Sequence, residues 1–167
     1  MTALAAELEL LDSKRGAFWL GAWGDVNVLV WLQAATLDVV ERLDRVGAKQ
    51  AAEPRKRSTI QIITPEGGPP DGPTREALIE LHSKRTENVA CAAVIIERTG
   101  LMGMAVRSAV TGLIILAPKN FRIKVFDTAE QCAPWVAEQH ERVAGTPVSA
   151  AELTEVLHKA RLLAAAT

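Results

Sequence analysis

The apolar run from Val89 to Ile96 is unbroken and rich in β-branched residues. That is the pattern of a strand covered on both faces, as in the interior of a parallel sheet. After Gly100 a longer stretch, from Leu101 to Pro118, is apolar on nearly every side and reads as a crossover helix packed over the strand it leaves. The rest of the chain arranges itself around this pair. Leu8 and Leu10 alternate with acids, Asp12 to Gly16 carries turn residues, and Phe18 to Trp23 returns, which predicts an N-terminal hairpin. Asp25 reads as the cap of a long helix ending near Val46, with Gly47 as its stop. Val26 to Leu32 inside that span also fits a strand, so the start of the helix is open. Residues 48–57 read as a polar linker.

Thr59 to Thr64 is a second interior-type strand, and the Pro- and Gly-rich stretch from Pro65 to Pro73 is a loop. Pro73 suits the first turn of a helix reaching about Thr86. From Phe121 to Phe126 apolar and basic positions alternate, the mark of a strand with one wet face at a sheet edge. Asp127 or Thr128 caps a following helix that Pro134 should shorten or kink. Gly145 and Pro147 break the chain, and Ser149 with Glu152 forms a capping box for a last helix striped by Leu153, Val156, Leu157, Ala160 and Leu163. The predicted order is β-β-α-β-α-β-α-β-α-α. It makes an α/β fold with a mixed sheet of about five strands, an N-terminal hairpin and helices packed on it. Residues 1–145 form the domain, and 146–167 are an amphipathic helical extension of it.

Composition narrows the function classes. The 167 residues suit one domain with a substantial core, 49% being apolar. A formal charge of −1 speaks against general attraction to nucleic acid or anionic membrane, and Arg55-Lys56-Arg57 is a solvated basic run. No apolar run reaches the roughly 18 residues of a membrane span, because Arg107 interrupts the best one. Glu7 and Glu9 stand where the apolar core of a secretory signal would lie. The chain reads as a cytoplasmic, bacterial-type protein. Cys91 and Cys132 form no paired motif. His82, His140 and His158 stand alone, and no metal spacing, phosphate-binding glycine motif or G-x-S-x-G nucleophile motif is present. No cofactor is expected.

The Pro-rich loop before Arg75 to Leu78, the strand Val94 to Ile96 leading into Ala105 to Gly112, and Phe126 to Thr128 followed by Ala133 and Trp135 together resemble the STAS-like, SpoIIAA-like proteins. These are grouped broadly with SEC14-type domains. The resemblance covers roughly residues 7–142 and implies a regulatory or protein-interaction module that is no enzyme. Members of that family switch by phosphorylation of a serine in an Asp-Ser-Ser-Gly turn. That tetrapeptide is absent here. Thr99 before Gly100 keeps a hydroxyl followed by glycine, but after the fourth predicted strand rather than the third. The SEC14 side of the resemblance implies the alternative of a small hydrophobic or lipid-like ligand. A third alternative is an enzyme of unrecognised chemistry.

Few residues stand out as sites. Glu97, Arg98 and Thr99 lie where a parallel strand ends and a helix begins, a usual position for ligands; Thr99 also reads simply as a helix cap. Arg107 flanks the predicted helix, either snorkelling to an acid or contacting an anion or ligand. At 100° per residue Met102, Val106, Ala109, Val110 and Leu113 face the sheet, which leaves Leu101, Met104 and Ile115 on an outward stripe. Either the terminal helix covers that stripe, through Leu153, Val156 and Leu157, or a second copy does. The homodimer is the slightly favoured partner.

Overall fold

The computed structural model describes residues 6–167; the reading of the extreme N-terminus falls partly on residues 1–5, outside that range. Six strands form one sheet: β1 (Leu8–Lys14), β2 (Phe18–Trp23), β3 (Val26–Trp31), β4 (Arg57–Ile63), β5 (Val89–Ile96) and β6 (Ile123–Phe126). They lie side by side in chain order. β1, β2 and β3 are antiparallel, and β3 to β6 are parallel. Five helices complete the fold: α1 (Leu37–Ala51), α2 (Gly72–Lys84), α3 (Gly100–Ile115), α4 (Ala129–Ala144) and α5 (Ala150–Ala165).

The topology dictates the layers. When parallel strands follow one another in chain order and every crossover is right-handed, the crossover helices fall on one face. α1, α2 and α3 are those helices. The other face must be covered by what remains of the chain, and α4 and α5 do this. Its core interleaves Val26, Val28, Val30, Ile60, Ile62, Cys91 and Ile95 with Val136, Leu153 and Leu157. Burial pushes both thiols in it up, Cys132 to about 12; they are small hydrophobes here. On the crossover face Phe18, Leu20, Leu29 and Trp31 meet Val39 and Leu43 of α1, and Val94 and Ile96 meet Val106 and Val110 of α3. Full burial of a side chain such as Phe18 contributes about 1.5–3 kcal/mol.

Four readings of the sequence need correction. Val26–Trp31 is a third strand, so the sheet has six, and Thr36 rather than Asp25 stands at the N-cap of α1. Both faces of β3 are buried, so it shows no alternation, and six residues are too few for periodicity to separate strand from helix. Gly47 does not stop α1; the helix runs through it to Ala51 and covers much of the expected linker. Its missing Cβ leaves room for Arg85, whose Nη1 would lie 3.1 Å from one. Pro134 does not shorten α4, which keeps 16 residues. The proline forgoes one backbone bond, but Cys132, Ala133 and Val136 around it are buried against the sheet, and this packing offsets the loss. Finally, Met102 is exposed, and Gly103 takes its place on the buried side of α3 with Val106 and Val110. A Cβ on Gly103 would sit 2.3 Å from the Arg98 carbonyl oxygen, so the first turn of α3 lies directly on the loop that leads into it.

One buried polar group stands out in the tight layer. His140 is 0% exposed. Its Nδ1 lies 2.7 Å from Ser58 Oγ, which in turn accepts from Cys91 Sγ at 3.2 Å, while Nε2 has no partner among the described residues. Burial holds its pKa below the usual histidine range, and the charge of Asp25 opposes that only in part. The unfolded chain therefore takes up a proton before the folded one does. Stability is full above the unfolded value near 6.5 and falls as pH drops through it toward the lowered folded value. Urea midpoints measured between about pH 7.5 and about pH 5.5 should decline in the native protein and decline less in His140→Gln. Equal slopes would show that His140 does not carry the effect.

Candidate functional site

The two layers differ in how closely they pack. α4 lies tight on β5, whereas α2 leans chiefly on α1 and stands off the sheet. Two adjoining cavities open beneath it. The first, about 90 Å³, lies between α2, α3 and the strands β4 to β6. Ile63, Val94, Val106 and Val110 form its floor and one side, Leu78 and Ile79 the other, and no charged residue lines it. The second, about 160 Å³, lies between α1, α2 and β3 to β5. Both touch Trp31, Gln61, Leu78, His82 and Phe121, so these residues are the partition.

The partition is a polar relay set in apolar surroundings, and its proton positions follow from one fixed donor. Trp31 Nε1 can only donate, and it donates to Gln61 Oε1 at 2.9 Å. Gln61 must then present its Nε2 to His82 Nε2, 3.3 Å away, which accepts. The His82 proton therefore sits on Nδ1, which donates to the Leu78 carbonyl at 2.6 Å. Both imidazole nitrogens are committed. The relay joins β3, β4 and α2 and fixes where α2 stands above the sheet. One amide hydrogen of Gln61 remains for a guest.

The residues singled out from the sequence lie elsewhere. Thr99 occupies the N-cap position of α3 with extended backbone, but its hydroxyl makes no capping bond and is exposed. The turn into α3 depends instead on Gly100, whose φ of 74° only glycine adopts easily. Thr99 follows the fifth strand, not the fourth. Glu97 is paired with Arg161 of α5 through both carboxylate oxygens, 3.0 and 3.2 Å from Nε. Arg107 pairs with Asp127 at the start of α4. Leu101, Met104 and Ile115 are 84%, 64% and 76% exposed. The terminal helix does not cover them: α5 lies on the opposite face of the sheet, with Leu153 and Leu157 buried in the core there and Val156 packed against it. Leu153 and Leu157 are therefore core residues rather than an exposed interface, and Val156 is half-buried beside them.

Gln61 escaped the sequence reading because it looks like an ordinary strand residue, and Trp31 because it lies in Val26 to Leu32, the span open between helix and strand. The only signal was a glutamine within the apolar strand Thr59 to Thr64. Replacing it tests the relay. Gln61→Leu leaves the Trp31 Nε1–H and His82 Nε2 without partners and should cost about 1–3 kcal/mol in urea unfolding; a neutral substitution would mean that water already serves these groups.

No protein-family model matches the chain, and no curated protein matches it. Among solved structures it is similar to an uncharacterised protein of the DUF3478 family from Shewanella loihica PV-4, which has a SpoIIAA-like fold. The TM-score is 0.54 at 15% identity, over 75% of this chain and 98% of that one. This likeness bears on architecture alone: the chain is a mixed α/β protein with a SpoIIAA-like fold.

Proposed function

We propose that this chain is a non-enzymatic binding module and that the space beneath α2 and α3 holds a small apolar molecule. The observation that carries this reading is the first cavity, which is lined mainly by apolar side chains, with a few polar ones such as Gln61 and His82 and no Asp, Glu, Lys or Arg. Apolar pockets with a few placed polar groups are the usual form of small-molecule sites. His82 spends both nitrogens on its neighbours, which supports a binding role over a catalytic one for this cavity. A cavity of about 150 Å³ accepts a benzene-sized guest, so the two spaces together suit an extended chain of several carbons. Isothermal calorimetry with 1-octanol should give saturable binding to the native protein. Ala109→Phe, which projects a ring into the first cavity from α3, should weaken it by about tenfold or more (about 1.4 kcal/mol) while the melting temperature stays close to native. Absence of saturable binding to the native protein would refute the reading.

A second reading is favoured by the outer face of α3. Leu101 and Met104 at one end of its outer face and Ile115 and Leu116 at the other are exposed, and large exposed apolar side chains gathered on one helix usually mark an interaction surface. We read it as a self-association surface of two-fold type, in which the same face serves both copies. Light scattering should give twice the monomer mass for the native protein and the monomer mass for a folded Met104→Glu. A native protein that is monomeric at high concentration would exclude this surface as a dimer interface.

A further inference from the structure

The second cavity differs from the first at one end. Toward α2 its walls are Leu43, Val46, Leu78 and Leu81; at the start of β4 they become Arg55 and Arg57, beside Asn27 and Gln50. Arg57 is 9% exposed. Its Nη1 donates to the Gly24 carbonyl at 3.2 Å and its Nη2 to Glu53 at 2.8 Å, but its buried Nε–H has no partner among the described residues. A buried guanidinium N–H left unpaired costs free energy, so a group that accepts from it is expected. The nearest resident acceptor, Asp25 Oδ1, is itself buried without a hydrogen bond and lies 3.9 Å from Arg57 Nη1, beyond hydrogen-bond reach. Asn27 and Gln50 satisfy each other through reciprocal bonds of 2.7 and 3.0 Å. The carboxylates that pair with the arginines, Asp25 and Glu53, stand outside the cavity wall, so the wall itself presents the cationic side of each pair. Arg57, Thr59 and Gln61 follow one another on this face of β4, and Arg57 lies about 13 Å from Gln61 at the usual rise of a strand. The run from Arg57 to the relay therefore goes from cationic to apolar.

We propose that the second cavity is the head-group site of an amphipathic anion, a medium-chain carboxylate. Its oxygens accept from Arg57 Nε–H, and its chain lies along β4 toward Gln61 and His82. The proposal rests on the preceding reading, that the space beneath α2 and α3 takes an apolar guest, and adds the chemistry of that guest's polar end.

Octanoate and 1-octanol share a chain and differ in the head, so calorimetry with both separates the two claims. The native protein should bind octanoate on the order of tenfold more tightly than 1-octanol, as one charge-assisted hydrogen bond gives. Arg57→Gln should remove that preference, so that octanoate binds no more tightly than 1-octanol. Because Arg57 also ties β4 to Gly24 and Glu53, Gln50→Glu serves as a second variant: it keeps an acceptor for Asn27 and places a resident carboxylate at the same end, and it should lower octanoate affinity selectively. If 1-octanol binds and octanoate binds no better, or if octanoate affinity survives Gln50→Glu, the head-group site is wrong and the apolar site stands. If neither compound binds, both fall.

Discussion

The parallel pairing of β4 and β5 is the constraint on which the rest of the molecule depends. β5 is buried on both faces; β4 buries Ile60 and Ile62 toward α4 and α5, while Thr59, Gln61 and Ile63 are half-buried toward the other helical layer. A parallel pair of this kind is stable only when helices cover each side. Chain order then fixes which helices these are, since right-handed crossovers send α1, α2 and α3 to one face and leave the second face to the end of the chain. α5 is thus one of the two helices that close the core, which explains why it is not a lid over α3.

The two layers have different physical characters. Beneath α4 and α5 a polar cluster, Ser58, Cys91 and His140, is sealed in the core, and a cavity of about 240 Å³ opens only at the strand ends, beside Glu97, His158 and Arg161. Beneath α2 the packing is incomplete. The Trp31–Gln61–His82 relay holds that helix at a distance instead of letting it settle on the strands. A hydrogen-bonded spacer in an apolar layer keeps space open, because the polar groups lose their partners if the helix moves. The position of the cavities follows from that spacer together with the small side chains Ala92 and Ala109 in the walls.

α3 connects the two properties assigned to this face. Its inner side, Val106 and Val110, walls the first cavity, and its outer side is apolar and exposed. Its first turn lies directly on the loop before it, through Gly100 and the contact of Gly103 with the Arg98 carbonyl. An apolar guest below the helix and a partner above it would therefore act on the same element from opposite sides.

Much of the fold was legible in the residues alone. The continuous apolar run Val89 to Ile96, the alternation before Phe126, the turn at Gly16 and the cap at Ser149 each express a local rule of burial or backbone geometry, and the elements they mark are present. β3 was ambiguous for the same kind of local reason: a short strand buried on both faces carries no period. Other features depended on tertiary structure. Helical periodicity can say that α3 has an apolar stripe, but a rotation of a few tens of degrees decides whether Met102 or Gly103 faces inward, and the contact at the Arg98 carbonyl sets that rotation. The terminal helix buries Leu153, Leu157 and Ala160 of its predicted stripe, with Ala164 in place of the exposed Leu163, while its place on the sheet followed from the handedness of three crossovers far earlier in the chain. The candidate site was not legible. Trp31, Gln61 and His82 come from three elements separated by 30 and 21 residues, and no local spacing announces a hydrogen-bonded relay or the space it holds open. An unpaired group such as Arg57 Nε is defined only by what the folded chain fails to bring to it.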